Sequence, residues 1–174
     1  VPDYSTFVFL DFDDTLSDST DLTRQYCSEL ADLLSSDVGG DKAAWEAAIR
    51  PNLLESRAKY AATFAGNPLG GFNAWIEIER VRVTEAIFSA VAQPLPTSDS
   101  VLDFAKRMQF DALTCCNAAF TGASEALLQL FEDGIRTQIA SSQESEFLFA
   151  ALIGAQLESY TESKFGPDLV NCAK

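Results

Sequence analysis

The chain has 174 residues, enough for one sizeable core, and 47% of them are apolar, so a globular fold is expected rather than disorder. Its 26 acidic and 12 basic residues give a net charge of −14, which argues against a nucleic-acid backbone or an anionic membrane surface as the main partner. The sequence has no histidine, and its four cysteines form no C-x-x-C pair. This composition argues against a structural zinc site and leaves acid–base chemistry to carboxylates, lysine or tyrosine.

The same features bear on the compartment. Cysteines without a disulfide-like or metal-like spacing are typical of a reducing environment. No apolar run reaches the length of a membrane span, and no signal peptide is visible. We therefore expect an intracellular protein of the cytosol or an organelle matrix.

An apolar segment near the start of the chain ends in clustered carboxylates. Residues 7–10 are continuously apolar and rich in Phe and Val, which predicts a short strand buried on both faces, as in a parallel sheet. Asp11, Asp13 and Asp14 follow directly, and Thr15 comes next. Like charges this close repel one another unless a cation or hydrogen-bond donors lie between them. The stretch therefore predicts a metal-assisted phosphate site, although turn and cap preferences alone would explain one or two of the Asp residues.

The next part of the chain, to about residue 110, has a helical pattern. The first predicted helix has Leu22, Tyr26, Leu30 and Leu33 on one face. The second begins at Trp45, is interrupted at Pro51 and resumes over 52–64. The third covers 72–91, with Trp75, Ile78, Arg82 and Ile87 periodic, and the fourth covers 101–108. No strong strand signal occurs there. The pattern indicates about four helices inserted directly after the carboxylates.

The last third of the chain alternates between strands and helices. Its predicted elements are a turn at 120–122, a helix over 125–131, a strand over 135–140, a helix over 144–153, a weak strand over 157–161, a loop with Lys164, and the first turn of another helix at Pro167. Alternation of this kind predicts an α/β fold. We expect a Rossmann-like parallel sheet core formed by residues 1–18 and 116–174, with an all-helical cap domain inserted over 19–115.

Hydroxyl and lysine side chains follow the later strands. Ser141 and Ser142 lie between a predicted strand and a helix N-terminus, where backbone N–H groups can hold a phosphate. Taken alone, Ser141 fits better as part of a capping box with Glu144. Lys164, taken alone, is most simply a solvated surface lysine.

Together these segments resemble the haloacid dehalogenase (HAD) superfamily of hydrolases, which are mostly phosphatases. The matching segments are Asp11-Phe12-Asp13-Asp14-Thr15, then Ser141, then Lys164-Phe165-Gly166-Pro167-Asp168, in the family's order. The helical block lies where that family inserts a helical cap. Two departures are visible: Phe165 stands where the family often has Pro after the lysine, and the acidic pair of the family's fourth motif does not occur before Lys174.

The resemblance implies a Mg²⁺-dependent phosphatase that hydrolyses a phosphorylated small molecule through an aspartyl-phosphate intermediate. Asp11 would be the nucleophile, and Asp13 would protonate the leaving alcohol and then activate water. Halide leaves without a proton, so Asp13 favours phosphoester hydrolysis over dehalogenation. The other implied roles are Mg²⁺ binding by Asp11 and Asp13, phosphate binding by Ser141, Ser142 and Lys164, and support of the loop by Asp14 and Thr15.

An alternative is an inactive HAD-like fold that serves as a structural or interaction subunit of a larger assembly. In the family, the strand that carries the fourth motif lies beside the first strand. Without that neighbour, residues 7–10 would form an exposed apolar edge, which promotes aggregation. We therefore expect either further residues beyond 174 or a partner chain that covers the first strand. No nucleic acid and no membrane span is expected.

Overall fold

The fold, seen in a computed structural model, is α/β with a small parallel sheet and an inserted helical block. The structure describes residues 7–65, 71–97, 100–161 and 163–169, and for Phe7 and residues 163–165 it describes the backbone alone. In chain order the elements are β1 (Phe7–Asp11), α1 (Ser19–Asp37), α2 (Lys42–Phe64), α3 (Phe72–Val91), α4 (Val101–Thr114), α5 (Ala123–Glu132), β2 (Arg136–Ala140), α6 (Ser145–Gly154) and β3 (Ser163–Phe165), with short 3₁₀ turns at Glu158–Tyr160 and Pro167–Leu169.

The described sheet has the order β1-β2-β3, and both pairings are parallel. Asp11 pairs with Ala140, and Lys164 pairs with Ile139. The carboxyl ends of all three strands therefore lie along one edge of the sheet. In open α/β sheets this is the edge at which ligands bind.

The first strand is less buried than its sequence predicts. Phe9 is 65% exposed, and Val8 and Leu10 are only half-buried, so the prediction of burial on both faces is wrong. Within the described sheet β1 is an edge strand, and one neighbouring strand covers only one of its sides.

The helical block follows the predicted order, but two of its details differ. The predicted interruption at Pro51 is wrong, because α2 is continuous through it. A proline inside a helix removes one backbone hydrogen bond, and buried Trp45 and Ile49 on one side, with half-buried Leu53 on the other, hold the helix against the same cluster. The predicted buried face of α3 is also wrong in part, since it included Ile78, which is 72% exposed.

Two predictions near the end of the chain are corrected. Residues 157–161 form no strand, because Glu158–Tyr160 is a single 3₁₀ turn. Leu157 is buried and Tyr160 packs against the same core, and a spacing of three residues suits a helical turn rather than a strand. Lys164 lies within β3 rather than in a loop, and this strand completes the described sheet.

The buried apolar residues fall into two clusters. One contains Ile139, Phe147 and Leu152 and lies between the sheet, α5 and α6; the other contains Trp45 and Phe88 and lies among the four inserted helices. We refer to the inserted helices α1–α4 as the cap and to the remainder as the core. None of the helices in the described ranges is long and apolar enough to cross a membrane.

Candidate active site

The chain turns sharply as it leaves β1, and this turn positions the carboxylates. The Phe12 side chain is buried, and its N–H donates to Ala140 O at 3.1 Å, so β2 holds the backbone directly after the strand. Asp14 has a left-handed φ of 59°, and its N–H donates to Ser17 O at 2.8 Å. In this turn, Asp11 is exposed at the end of β1 and Asp13 is half-buried.

Asp13 is held by three donors from the loop that follows β2. Its Oδ2 accepts from Ser141 Oγ at 2.8 Å and from Ser142 Oγ at 3.1 Å, while its Oδ1 accepts from Gln143 Nε2 at 3.3 Å. Ser141 is buried and Ser142 is exposed. Since the donors come from one short loop, the orientation of the Asp13 carboxylate depends on that loop.

The expected capping box does not form. Ser141 Oγ accepts from Gln143 N at 3.0 Å, two residues along, which is a local turn contact rather than a helix cap. Glu144 makes no side-chain cap to α6 and forms an ion pair with Arg80 of the cap instead. The N–H of Ser145, the first residue of α6, donates to Asp168 Oδ1 at 2.7 Å. Asp168 therefore caps this helix from outside it.

The segment that contains Lys164 contacts this loop through its backbone. Gly166 N donates to Ser145 Oγ at 3.1 Å, and Ser145 Oγ donates to Asp168 Oδ1 at 3.0 Å. The structure describes the backbone of Lys164 and not its side chain, so its predicted phosphate contact remains a prediction. Lys164 pairs with Ile139, and Phe165, the last residue of β3, pairs with Ala140. The backbone of Lys164 therefore lies close to the end of β2, just before Ser141.

The two residues expected to support the loop have different contacts. Asp14 Oδ1 accepts from Ser19 N at 3.0 Å, at the start of α1. Hydrogen bonds from the side chain and backbone of Ser19 hold the pKa of the Asp14 carboxyl below its usual range. Thr15 is exposed, and its N–H donates to Phe12 O at 3.4 Å.

A cavity of about 350 Å³ lies between the cap and this loop. Asp13, Ser142 and Gln143 line it on the core side. Its cap side is mainly apolar and aromatic and includes Leu22, Leu53, Tyr60, Phe72, Trp75 and Val83. This volume lies in the range of small-molecule sites. Asp13 thus lines a cavity large enough for an organic group.

Arg80 is a polar residue in the wall of this cavity that the sequence analysis did not select. It is only 7% exposed, forms the ion pair with Glu144, and its Nε donates to Gln109 Oε1 at 3.1 Å. Its guanidinium lies 4.6 Å from the ring centroid of Phe147. Neither Arg80 nor Gln143 carries a sequence signal of its own, because the direction of a single side chain on a helix or in a loop depends on packing.

The acidic residues at the strand end are suited to a hard cation. Asp11 offers carboxylate oxygens and Asp13 a backbone carbonyl, which are the hard oxygen ligands that Mg²⁺ prefers, and Mg²⁺ is usually held by one or two carboxylates together with waters and substrate phosphate. Among the described residues there is no group of three or more His, Cys, Asp or Glu side chains that could hold a metal. The oxygen ligands present are compatible with Mg²⁺.

A parallel sheet with carboxylates at its carboxyl edge and an all-helical insertion after the first strand defines the class of capped α/β folds. Comparison with solved structures makes this specific: the chain has the HAD fold. Matching structures include YfnB from Bacillus subtilis, described as a HAD hydrolase bound to magnesium (TM-score 0.57, 15% identity, 97% of this chain and 67% of that one). Two L-2-haloacid dehalogenases also match, RSc1362 (TM-score 0.54, 20% identity, 97% and 66%) and the enzyme from Xanthobacter autotrophicus (TM-score 0.53, 18% identity, 97% and 59%).

At these identities the likeness establishes the fold alone. No protein-family model matches the sequence, and none of the curated proteins matches it significantly. The chain spans 59–67% of the length of these three structures. Activity and substrate therefore have to be argued from the site.

Proposed function

We propose that the protein is a Mg²⁺-dependent phosphoric monoester hydrolase that acts on a small organic phosphate. The observation that carries this proposal is the placement of Asp13, which lines the cavity and is oriented by Ser141, Ser142 and Gln143. A carboxyl group fixed in this way, two residues beyond the carboxylate at the end of the strand, suits proton transfer to a leaving alcohol.

In the first proposed step, an Asp11 carboxylate oxygen attacks the phosphorus of the ester. The new bond joins Asp11 to phosphorus, and the bond between phosphorus and the ester oxygen breaks. The carboxylic acid form of Asp13 gives its proton to the departing oxygen, so the alcohol leaves neutral. Bound Mg²⁺, held by the Asp11 carboxylate and the backbone carbonyl of Asp13, would offset the repulsion between the Asp11 carboxylate and the phosphate.

In the second step, the Asp13 carboxylate takes a proton from water as that water attacks phosphorus. The bond between Asp11 and phosphorus breaks, which releases inorganic phosphate and restores both carboxyl groups to their starting states. Ser141, Ser142 and Lys164 are the proposed donors to the phosphoryl oxygens. Ser141 and Ser142 donate to Asp13 in the free protein, and each hydroxyl has a single hydrogen, so a serine that donates to the phosphate gives up its bond to Asp13.

A dehalogenase is the competing enzyme class, because two of the matching folds are haloacid dehalogenases. Halide departs without needing a proton, so that reaction gives no role to a carboxyl group placed like Asp13. The three donors on Asp13 therefore support the phosphatase.

The test is hydrolysis of phenyl phosphate with Mg²⁺, with chloride release from L-2-chloropropionate measured in parallel. We expect phosphate release by the parent, and at least a thousandfold lower rate for Asp11→Asn, since losing a covalent nucleophile removes the whole pathway. Asp133→Asn is the matched control, because this exposed carboxylate lies at the end of α5, where it only accepts from Gln129. Equal rates for Asp11→Asn and the parent would overturn the assignment, and chloride release would favour the dehalogenase.

The second candidate is an inactive interaction subunit, favoured by the exposure of Phe9 on the edge strand β1. In this case a partner chain would cover β1 and the parent would hydrolyse no phosphate ester. Light scattering of the parent and Phe9→Lys would decide the point. A defined assembly that Phe9→Lys dissociates supports the subunit, whereas a monomer in both cases counts against it.

A further inference from the structure

We propose that Arg80 and the apolar wall of the cavity form a subsite for the alcohol part of the substrate. The subsite takes an uncharged, mainly apolar or aromatic group that carries one carbonyl oxygen as acceptor, in addition to the oxygen that is esterified to phosphate. The inference rests on the proposed phosphatase function for its context, but it concerns binding that needs neither Asp11 nor a metal ion.

The first observation is an unused donor in a buried side chain. Arg80 is more than nine-tenths buried and lines the cavity. Its Nη2 pairs with Glu144 and its Nε with Gln109, but its Nη1 is buried without a hydrogen-bond partner among the described residues. Leaving a buried donor unpaired is costly, so such a group is expected to find an acceptor. An oxygen atom of a ligand in the cavity would supply one once the side chains that cover Nη1 move aside to admit it.

The second observation is the charge around that donor. The cation of Arg80 is already balanced by Glu144, and an anionic ligand group at Nη1 would lie close to that carboxylate. Glu79, also in the wall, is held ionised by Arg82, whose hydrogen bond keeps the pKa of the Glu79 carboxyl below its usual value. Arg57, the other arginine of the lining, is exposed and donates to Thr23 Oγ1. Beside Arg80 the cation is already balanced by Glu144, so a neutral acceptor fits better there than a carboxylate.

The third observation is the shape and chemistry of the remaining wall. Tyr60, Phe72 and Trp75 line the cavity, and the ring of Tyr60 lies 6.3 Å from Phe72 and 5.7 Å from Trp75, between ring centroids. Aromatic rings arranged in this way bind flat apolar groups through their faces and edges. Tyr26 lies in the same wall, and burial raises the pKa of its phenol, so its hydroxyl stays neutral.

The test is calorimetric titration of the parent chain with three phenols of similar size. Para-hydroxyacetophenone carries a neutral acceptor, para-ethylphenol lacks it, and para-hydroxybenzoate replaces it with an anion. We expect the acetophenone to bind about tenfold more tightly than either of the others, since a hydrogen bond to a charged donor is worth about that factor. Tighter binding of the benzoate, or equal binding of the acetophenone and the ethylphenol, would overturn the proposal.

Variants assign the effect to Arg80. Arg80→Lys keeps a cation for Glu144 but has no counterpart of Nη1. The acetophenone and the ethylphenol should therefore bind to this variant with about equal affinity. Arg82→Lys is the matched control on the same helix, because Arg82 itself does not line the cavity and a lysine keeps a cation for its partners, Glu79 of the wall and Glu55 outside it. This variant should keep the tenfold preference. Loss of the preference in both variants would contradict the assignment. If Arg80→Lys does not fold, the ligand series on the parent still decides.

The same titrations with Asp11→Asn separate this inference from the proposed function. Binding that persists in Asp11→Asn, with no hydrolysis by the parent, would reject the phosphatase and keep the subsite. Hydrolysis of phenyl phosphate without discrimination among the three phenols would keep the phosphatase and reject the subsite.

Discussion

At the scale of single residues, the site depends on how one carboxylate is held. Asp13 receives hydrogen bonds from three consecutive residues that are 128 to 130 positions away in the sequence. Ser141 is buried and Ser142 is exposed, so the two serines are not equivalent. A buried hydrogen bond is shielded from water and fixes geometry more strongly than an exposed one.

We therefore expect Ser141→Ala to reduce kcat/KM for phenyl phosphate about a hundredfold, since a misplaced catalytic group can cost that much. Ser142→Ala should cost about tenfold or less, because water can replace its exposed hydroxyl. Steady-state kinetics of the two variants with Mg²⁺ provide the measurement. A larger loss in Ser142→Ala than in Ser141→Ala would contradict the role given to burial.

The residue scale also sets the limit of inference from the sequence. The proximity of Asp13 and Ser141 could be anticipated, because the carboxyl ends of neighbouring parallel strands meet at one edge of a sheet. The capping box of Ser141 with Glu144 was equally consistent with the sequence and proved wrong. Glu144 is drawn to Arg80 of the cap, and nothing local in the sequence reveals that contact.

At the scale of elements, the residue after β3, Gly166, packs closely against the backbone at the start of α6. A Cβ atom added at Gly166 would lie 2.3 Å from Gln143 O, 2.5 Å from Ser145 N and 2.5 Å from Asp168 Oδ1. Two of these atoms belong to the backbone of the loop that holds Asp13. The glycine is therefore required by close contact between elements rather than by its own backbone angles.

Replacing Gly166 with Ala should push the β3 segment away from the loop and weaken the Asp168 cap on α6. We expect the free energy of unfolding to fall by about 2–3 kcal/mol, the usual cost of overpacking with backbone displacement. Urea denaturation followed by circular dichroism gives this value. Gly71→Ala serves for comparison, because nothing lies within 4 Å of an added Cβ there, and its cost should come only from its φ of 79°. A Gly166→Ala variant as stable as the parent would show that the two segments can move apart freely.

Element types were easier to predict than element boundaries. The strand and helix order followed from apolar periodicity and from glycine and proline positions, as α4 and β2 illustrate. Failures occurred where packing overrode a local signal. Pro51 did not break α2 because cap residues on both sides of it pack into one cluster, and Leu157 began a 3₁₀ turn because its side chain anchors in the core.

At the scale of the whole molecule, two polar contacts join helix α3 of the cap to the core. Arg80 of α3 pairs with Glu144, and Asn73 Nδ2, also on α3, donates to Asp168 O at 3.1 Å. The side chains of the Arg80–Glu144 pair are only 6% and 15% exposed. Removing one member of a pair this buried leaves the other charge without compensation.

Glu144→Gln should therefore lower the free energy of unfolding by about 3 kcal/mol, because Arg80 would remain buried with its charge unbalanced. Lys59→Gln is the matched control, since its pair with Glu55 is exposed and should contribute less than about 1 kcal/mol. Urea denaturation of both variants at neutral pH measures the difference. Equal effects of the two substitutions would mean that water reaches the Arg80–Glu144 pair in solution.

The five residues 141–145 have a consequence for how the molecule moves. This short loop bonds to the turn after β1 through Asp13, to the segment after β3 through Asp168, and to the cap through Arg80. Because the loop has only five residues, its contacts with Asp13, Asp168 and Arg80 cannot move independently of one another. Opening of the cap would therefore pull on the same segment that aims the Asp13 carboxylate, so the protein would be competent for proton transfer only while the cap is shut. Product release would then coincide with loss of the orientation of the Asp13 carboxylate. In a hydrogen-exchange experiment, the amide hydrogens of this loop should exchange at the same rate as those of α3.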